Sequence, residues 1–205
     1  MRIAVIGAGN VGKAVGRAWA AAGHEVRYGV RDPADPKHAG LIVASVAAAA
    51  HDANVVLLAT PWRATEAAIG AAGDLHGKLL LDSTNPLAPG PDGYALAVGH
   101  TISGGELVAR WAEGAAVFKT LNQTGFGNMA DSGSYPLRPV MFFAGDDQQQ
   151  RADVASLLHD LGFDAVDAGP LRNARLLEPY AMLWIDLAMQ RGQGRDIAFA
   201  LMRRG

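Results

Sequence analysis

The feature that most constrains this chain is a glycine-spaced turn beginning at its seventh residue. A β-branched run at 2–6 ends at Gly7, and Gly7, Ala8, Gly9, Asn10, Val11 and Gly12 then spell Gly-x-Gly-x-x-Gly. The pattern alone is common, and its setting carries the weight. An apolar strand precedes it and an alanine-rich helical stretch, 11–22 closed by Gly23, follows it. Gly7 permits the tight turn, Gly9 lets the backbone approach a pyrophosphate, and Gly12 lets helix and strand pack closely. The helix start offers free N–H groups and a positive dipole end to phosphates. A dinucleotide site is the expectation; the alternative is a glycine turn in an α/β protein that binds no nucleotide.

The rest of the chain continues the alternation. Strands are expected at 25–30, 55–59, 78–82, 116–120, 140–144 and 163–166. Helices are expected from the Ser45 cap to about 52, at 62–72, from the Ser103 cap to 111, from 145–147 to about 161, and at 173–190. Residues 87–99, rich in proline and glycine, read as a loop. Alternating strands and helices imply a parallel sheet covered on both faces, with right-handed crossovers. The expected fold is therefore α/β: a doubly wound, Rossmann-type parallel sheet with a small C-terminal α/β extension. The Gly-, Ser- and Pro-rich stretch at 125–138 is the candidate boundary. It divides a dinucleotide-binding domain, 1–125, from an extension, 126–205, assigned to the acceptor side and dimerisation.

Composition removes several classes of function. A net charge of −2 gives no electrostatic reason to expect nucleic acid or an acidic membrane surface. Zero cysteines exclude a thiol nucleophile and cysteine-ligated metal. The six histidines show no paired metal-ligand spacing, so no metal site is expected. No long uncharged apolar run and no signal-peptide pattern is present, which points to a cytoplasmic protein.

The end of the second strand bears on NAD against NADP. An NAD site usually places a carboxylate there. Here Val30 is followed by Arg31, which can pair with a 2′-phosphate, with Lys37 and His38 nearby. A shift of one residue would instead put Asp32 in the NAD position. The reading favours NADP(H).

With these residues in view the chain resembles the NADPH-dependent coenzyme F420 reductase family, which includes the reductase domain of eukaryotic transmembrane metalloreductases. The marks are the turn at 7–12, Tyr-Gly-Val-Arg at 28–31, Ala-Thr-Pro-Trp at 59–62, Lys-Thr-Leu-Asn at 119–122 and Ala-Gly-Asp-Asp at 144–147. The narrowest is Asp-Ala-Gly-Pro-Leu at 167–171 leading into Asn-Ala-Arg-Leu-Leu-Glu at 173–178. The resemblance spans nearly the whole chain. It implies a homodimer that moves hydride between NADP(H) and a small flavin-like acceptor, F420 or FMN. It also implies that the glycine turn, Val30, Arg31, Thr60 and Pro61 contact the dinucleotide. Asn85, Pro86, Leu87, Asn122 and Thr124 then line the nicotinamide and acceptor side. Two departures stand out. Val30, Arg31 and Asp32 replace the family's frequent Ser-Arg-Arg, and 122–126 is more polar with an added Phe126, so an acceptor other than F420 stays open.

Hydride transfer needs position more than acid–base chemistry, so no catalytic triad is expected. His100 is the one histidine considered as a proton donor. Lys119 either holds a ribose or acceptor phosphate from a strand end or is simply solvated. Trp62 either walls the cleft or packs. Arg175 and Glu178, three apart on one helix, are read as a local ion pair or as site residues. Tyr180 and Trp184 are assigned to core or dimer interface. Two other functions remain open: reduction of a small imine or carbonyl compound, and a dinucleotide sensor without turnover.

Overall fold

The computed structural model describes residues 1–91 and 93–204. Asp92, inside the stretch read as a loop, lies outside the described residues, as does Gly205 at the end of the extension. The elements in chain order are β1 (Arg2–Ile6), α1 (Asn10–Ala21), β2 (Glu25–Val30), β3 (Val43–Ser45), α2 (Val46–His51), β4 (Val55–Leu58), α3 (Thr65–Ala72) and β5 (Leu79–Asp82). They continue with β6 (Leu87–Gly90), β7 (Gly93–Leu96), α4 (Gly104–Trp111), β8 (Ala116–Lys119), α5 (Phe126–Ala130), β9 (Val140–Gly145), α6 (Arg151–Asp160), β10 (Asp164–Asp167) and α7 (Ala174–Met189).

Eight strands form one sheet in the order β10-β9-β8-β5-β4-β1-β2-β3. Its core strands are apolar without alternation because both faces are covered. In β1, Ile3 and Val5 turn to one layer while Ala4 and Ile6 turn to the other. The first layer holds Val15 and Trp19 of α1, Met129 of α5 and Leu157 of α6. The second holds Ala49 of α2, Ile69 of α3 and Val108 of α4. The Trp19 indole N–H donates to Leu157 O at 2.9 Å, tying α1 to α6.

The doubly wound α/β reading holds, with three differences. Parallel pairing breaks between β8 and β9, which run antiparallel, before β9 and β10 resume it. The strands after residue 125 therefore extend the same sheet. Leu87–Gly90 and Gly93–Leu96 pair antiparallel as β6 and β7, where only a loop was expected. β3 went unrecognised because its last residue, Ser45, is also the cap of α2, accepting from Ala48 N at 3.2 Å.

Candidate dinucleotide site

In the sheet order the winding reverses between β1 and β4. α1 follows β1 onto one face and α3 follows β4 onto the other. Crevices at such switch points, beyond the carboxyl ends of the strands, are where open α/β sheets bind ligands. Gly7 turns out of β1 with φ +105°, and a Cβ there would stand 2.6 Å from Ala59 O. A Cβ on Gly12 would stand 2.0 Å from Gly7 O. Gly9 differs, since a Cβ there would meet nothing within 4 Å. Gly9 caps α1 without a side-chain hydrogen bond, and the first turn carries no acidic residue. Gly9 and Asn10 are exposed, and Ala8 and Val11 are half-buried at the rim. The result is open space at the positive end of a 12-residue helix, with backbone N–H groups free of a side-chain cap, the chemistry a pyrophosphate requires.

One strand over, Val30 is buried at the end of β2 and Arg31 stands exposed beside it. Asp32 is turned back on its own loop, accepting from Ala34 N at 3.0 Å. Lys37 is paired with Asp35. Lys13, on α1, donates to Lys37 O at 3.5 Å, so a second cation stands at this corner. The sequence reading missed it. His38 is buried, and its Nδ1 has no hydrogen-bond partner among the described residues.

The other half of the crevice follows β4, β5 and β8. Thr60 Oγ1 lies 3.1 Å from Thr65 Oγ1, and the Thr65 hydroxyl donates to Pro61 O at 3.3 Å, which fixes the 60–61 turn. Trp62 leans on Trp111 with ring centroids 5.4 Å apart, so it is half packed. Asn85 donates to Asn122 O at 2.9 Å and accepts from Asn122 Nδ2 at 3.1 Å, a reciprocal clasp between the exits of β5 and β8. Pro86 and Leu87 lead from that clasp into the hairpin. Thr124 accepts from Asn128 Nδ2 at 2.7 Å. His100 is exposed, with φ 60°.

The structure corrects two expectations and adds partners to a third residue. Lys119 does not reach a phosphate. It is fully buried, and its ammonium is spent on Asp82 Oδ2 at 3.0 Å, Glu178 Oε1 at 2.9 Å and Thr84 O at 2.6 Å. Burial alone would lower the Lys119 pKa, but the two carboxylates outweigh it and raise it, so the ammonium stays charged. Asn122 is 4% exposed, and its amide is consumed by Asn85, Leu177 O and Gln123 Nε2. Its side chain is committed to partners within the fold, bracing the exit of β8 against Asn85 and α7. Arg175 and Glu178 do not pair. Arg175 grips Glu106 through Nε at 2.8 Å and Nη2 at 2.6 Å, while Glu178 turns inward to Lys119. The two Arg175 nitrogens meet the two oxygens of Glu106 on α4, a bidentate pair.

Asp82 was thus missed, and so was the true partner of Glu178. The signal was present: Asp82 closes the all-buried run 79–81, and Glu178 occupies the helical stripe of Ala174, Leu177 and Ala181. A carboxylate among buried neighbours demands a buried cation.

Comparison with known proteins bears on the family and the fold. The profile of the family described as NADP oxidoreductase, coenzyme F420-dependent, matches residues 2–86. An F420-dependent NADP reductase of Methanothermobacter marburgensis is 30% identical, over 91% of this chain and 92% of its own. A crystal structure from Arthrobacter sp. FB24, provisionally assigned as an F420-dependent NADP reductase, superposes with TM-score 0.89 and 35% identity, over 99% of this chain and 100% of that one. A reductive aminase from Aspergillus terreus shares the fold at TM-score 0.67 and 20% identity, over 93% of this chain but 62% of its own. The chain belongs to the F420-dependent NADP oxidoreductase family, a family of NADP-dependent oxidoreductases.

Proposed function

We propose that this protein transfers hydride between NADP(H) and a small flavin-like acceptor, with coenzyme F420 first among them and FMN as the alternative. The observation that carries the reading is the open, uncapped start of α1 at Gly9, one strand from the exposed Arg31. The glycine turn holds the pyrophosphate through backbone N–H groups, and Arg31 with Lys13 favours the 2′-phosphate. When bound, NADPH would supply a hydride, the C4 hydrogen with both bonding electrons, to the acceptor ring, which would take one further proton from water as NADP⁺ is formed. The chain's own part is orientation and exclusion of water by Trp62, Pro86 and Leu87. The acceptor class is supported by the Methanothermobacter relative, which matches along nearly its full length. The Aspergillus aminase extends well beyond the matched part, which speaks against a shared imine substrate.

We assign dinucleotide binding to 1–125, and acceptor contacts and pairing of two copies to 126–205. Leu176 and Leu183, seven apart on α7, are 67% and 50% exposed and give a homodimer an apolar face. No helix among the described residues is long and apolar enough to cross a membrane. The test follows NADPH absorbance with F420, FMN, FAD and a ferric chelate in parallel, with NADH as control. Turnover with F420 or FMN bears the reading out. NADPH binding without oxidation of any acceptor replaces it with a sensor.

A further inference from the structure

The buried charges at Asp82, Lys119 and Glu178 join four elements: the last residues of β5 and β8, the start of α4 and the first turns of α7. Asp82 closes β5 and accepts from Thr84 N at 2.9 Å and Thr84 Oγ1 at 2.7 Å. Lys119 closes β8. Glu178 comes from α7, and its two oxygens accept from Gly104 N at 2.9 Å and Gly105 N at 3.0 Å, the first amides of α4. All three charged side chains are at most 1% exposed. Two carboxylates face one ammonium, and the surplus negative charge sits on the positive end of an eight-residue helix.

This cluster lies directly behind the nicotinamide-side wall. A Cβ on Gly104 would stand 3.0 Å from Glu178 Oε1, 3.2 Å from Pro86 Cγ and 3.2 Å from Trp62 Cζ3. One glycine therefore separates the buried carboxylate from both wall residues. The adjoining backbone is held hard: Leu121, fully buried, sits at φ 57°, a conformation that survives only where surrounding contacts impose it. Reach and rigidity together make this more than a filled core.

We propose that Glu178, acting through Lys119 and the amides of Gly104 and Gly105, is a positioning residue that sets Trp62 and Pro86 against the nicotinamide. The inference rests on the dinucleotide reading above. Glu178 never touches the cofactor. It determines where the start of α4 and the 84–86 turn stand, and so the geometry at the reacting carbon.

The experiment uses the full chain and Glu178→Gln, which keeps the shape but presents an N–H₂ to one of the two amides. NADPH affinity, the emission of bound NADPH and turnover with F420 and FMN are measured together. Affinity is expected to stay within about twofold of wild type, because the Gly9 and Arg31 half is untouched. The emission of the bound nicotinamide is expected to shift, and kcat to fall about tenfold or more, as misplacement at a reacting centre does. Gly104→Ala pushes the same wall without removing a charge. It is expected to repeat the split, and it decides the matter if Glu178→Gln does not fold. Trp19→Phe, in the opposite layer, controls for lost stability and is expected to change neither emission nor kcat. Wild-type emission and kcat in both wall variants would overturn the inference, as would parallel loss of affinity and kcat. If the wild type binds NADPH but reduces no acceptor, the proposed reaction fails, and the emission comparison still decides the role of Glu178. If it does not bind NADPH, both readings fall.

Discussion

At the scale of single residues, Gly9 and Gly12 respond oppositely to one added methyl group. At Gly12 the new carbon would lie 2.0 Å from Gly7 O, so Gly12→Ala is expected to cost about 1–3 kcal/mol, read as a lower urea midpoint. Gly9 is not at positive φ and has open space around its Cβ, so Gly9→Ala is expected to melt like wild type. Its methyl would occupy the phosphate cradle, and NADPH should bind about tenfold or more weakly, near 1.4 kcal/mol. Equal melting and equal affinity would show that no phosphate sits there. Arg31→Ala is expected to weaken NADPH by about tenfold while NADH changes by less than about twofold, since only NADPH offers the 2′-phosphate. Equal losses for both cofactors would remove Arg31 from that role. The glycine spacing was legible because backbone sterics act locally. The fate of Lys119 was not, because its three partners lie 35 to 59 residues away, at Thr84, Asp82 and Glu178.

At the scale of elements, α4 shows how a local signal acquires a distant partner. Ser103 caps it and Glu106 answers, a capping box readable from Ser-x-x-Glu. What the spacing could not show is that Arg175 of α7 closes on the same Glu106 carboxylate. The Arg175 hydrogen bonds, with Ser103 adding its own, hold the Glu106 pKa down at about 2, against 4.5 when unperturbed. A lowered folded-state pKa means that the stabilisation is complete above the unfolded value. It is then lost as pH falls from about 4.5 towards 2. The wild type should therefore lose stability more steeply than Glu106→Gln across that interval in urea titrations, with a gap that is constant above it. Parallel curves would mean that the Arg175 fork contributes nothing in solution. The same element logic explains the hairpin. Proline and glycine at 86–93 signalled a break in helix and strand alike, but β6 and β7 form only by pairing with each other.

At the scale of the molecule, the tail after α7 returns to brace the sheet. Ile197 O accepts the Trp184 indole N–H and the Asn128 amide, both at 2.8 Å, and Phe199 O accepts Val140 N at 2.8 Å. Phe199 also lies against Tyr180, with ring centroids 5.0 Å apart. Deleting 196–205 strands two buried side-chain donors and is expected to cost about 2–6 kcal/mol, measured by urea unfolding. An unchanged midpoint would show the tail to be passive. The tail has no periodicity, so nothing in its sequence announced this role. The pattern Asp-Ala-Gly-Pro-Leu into Asn-Ala-Arg-Leu-Leu-Glu proves to be the docking surface of α7. Asp146 receives Leu171 N at 3.0 Å, Arg175 takes Glu106, and Glu178 takes Lys119. The sequence by itself determined the strand–helix alternation, the glycine turn and the caps, because steric allowance, hydrophobic period and capping act within a few residues of one another. Only the tertiary structure decided the antiparallel step at β9, the inward turn of Lys119 and Glu178, and the clasp of Asn85 with Asn122. Each depends on a buried polar group finding a partner that chain distance does not disclose.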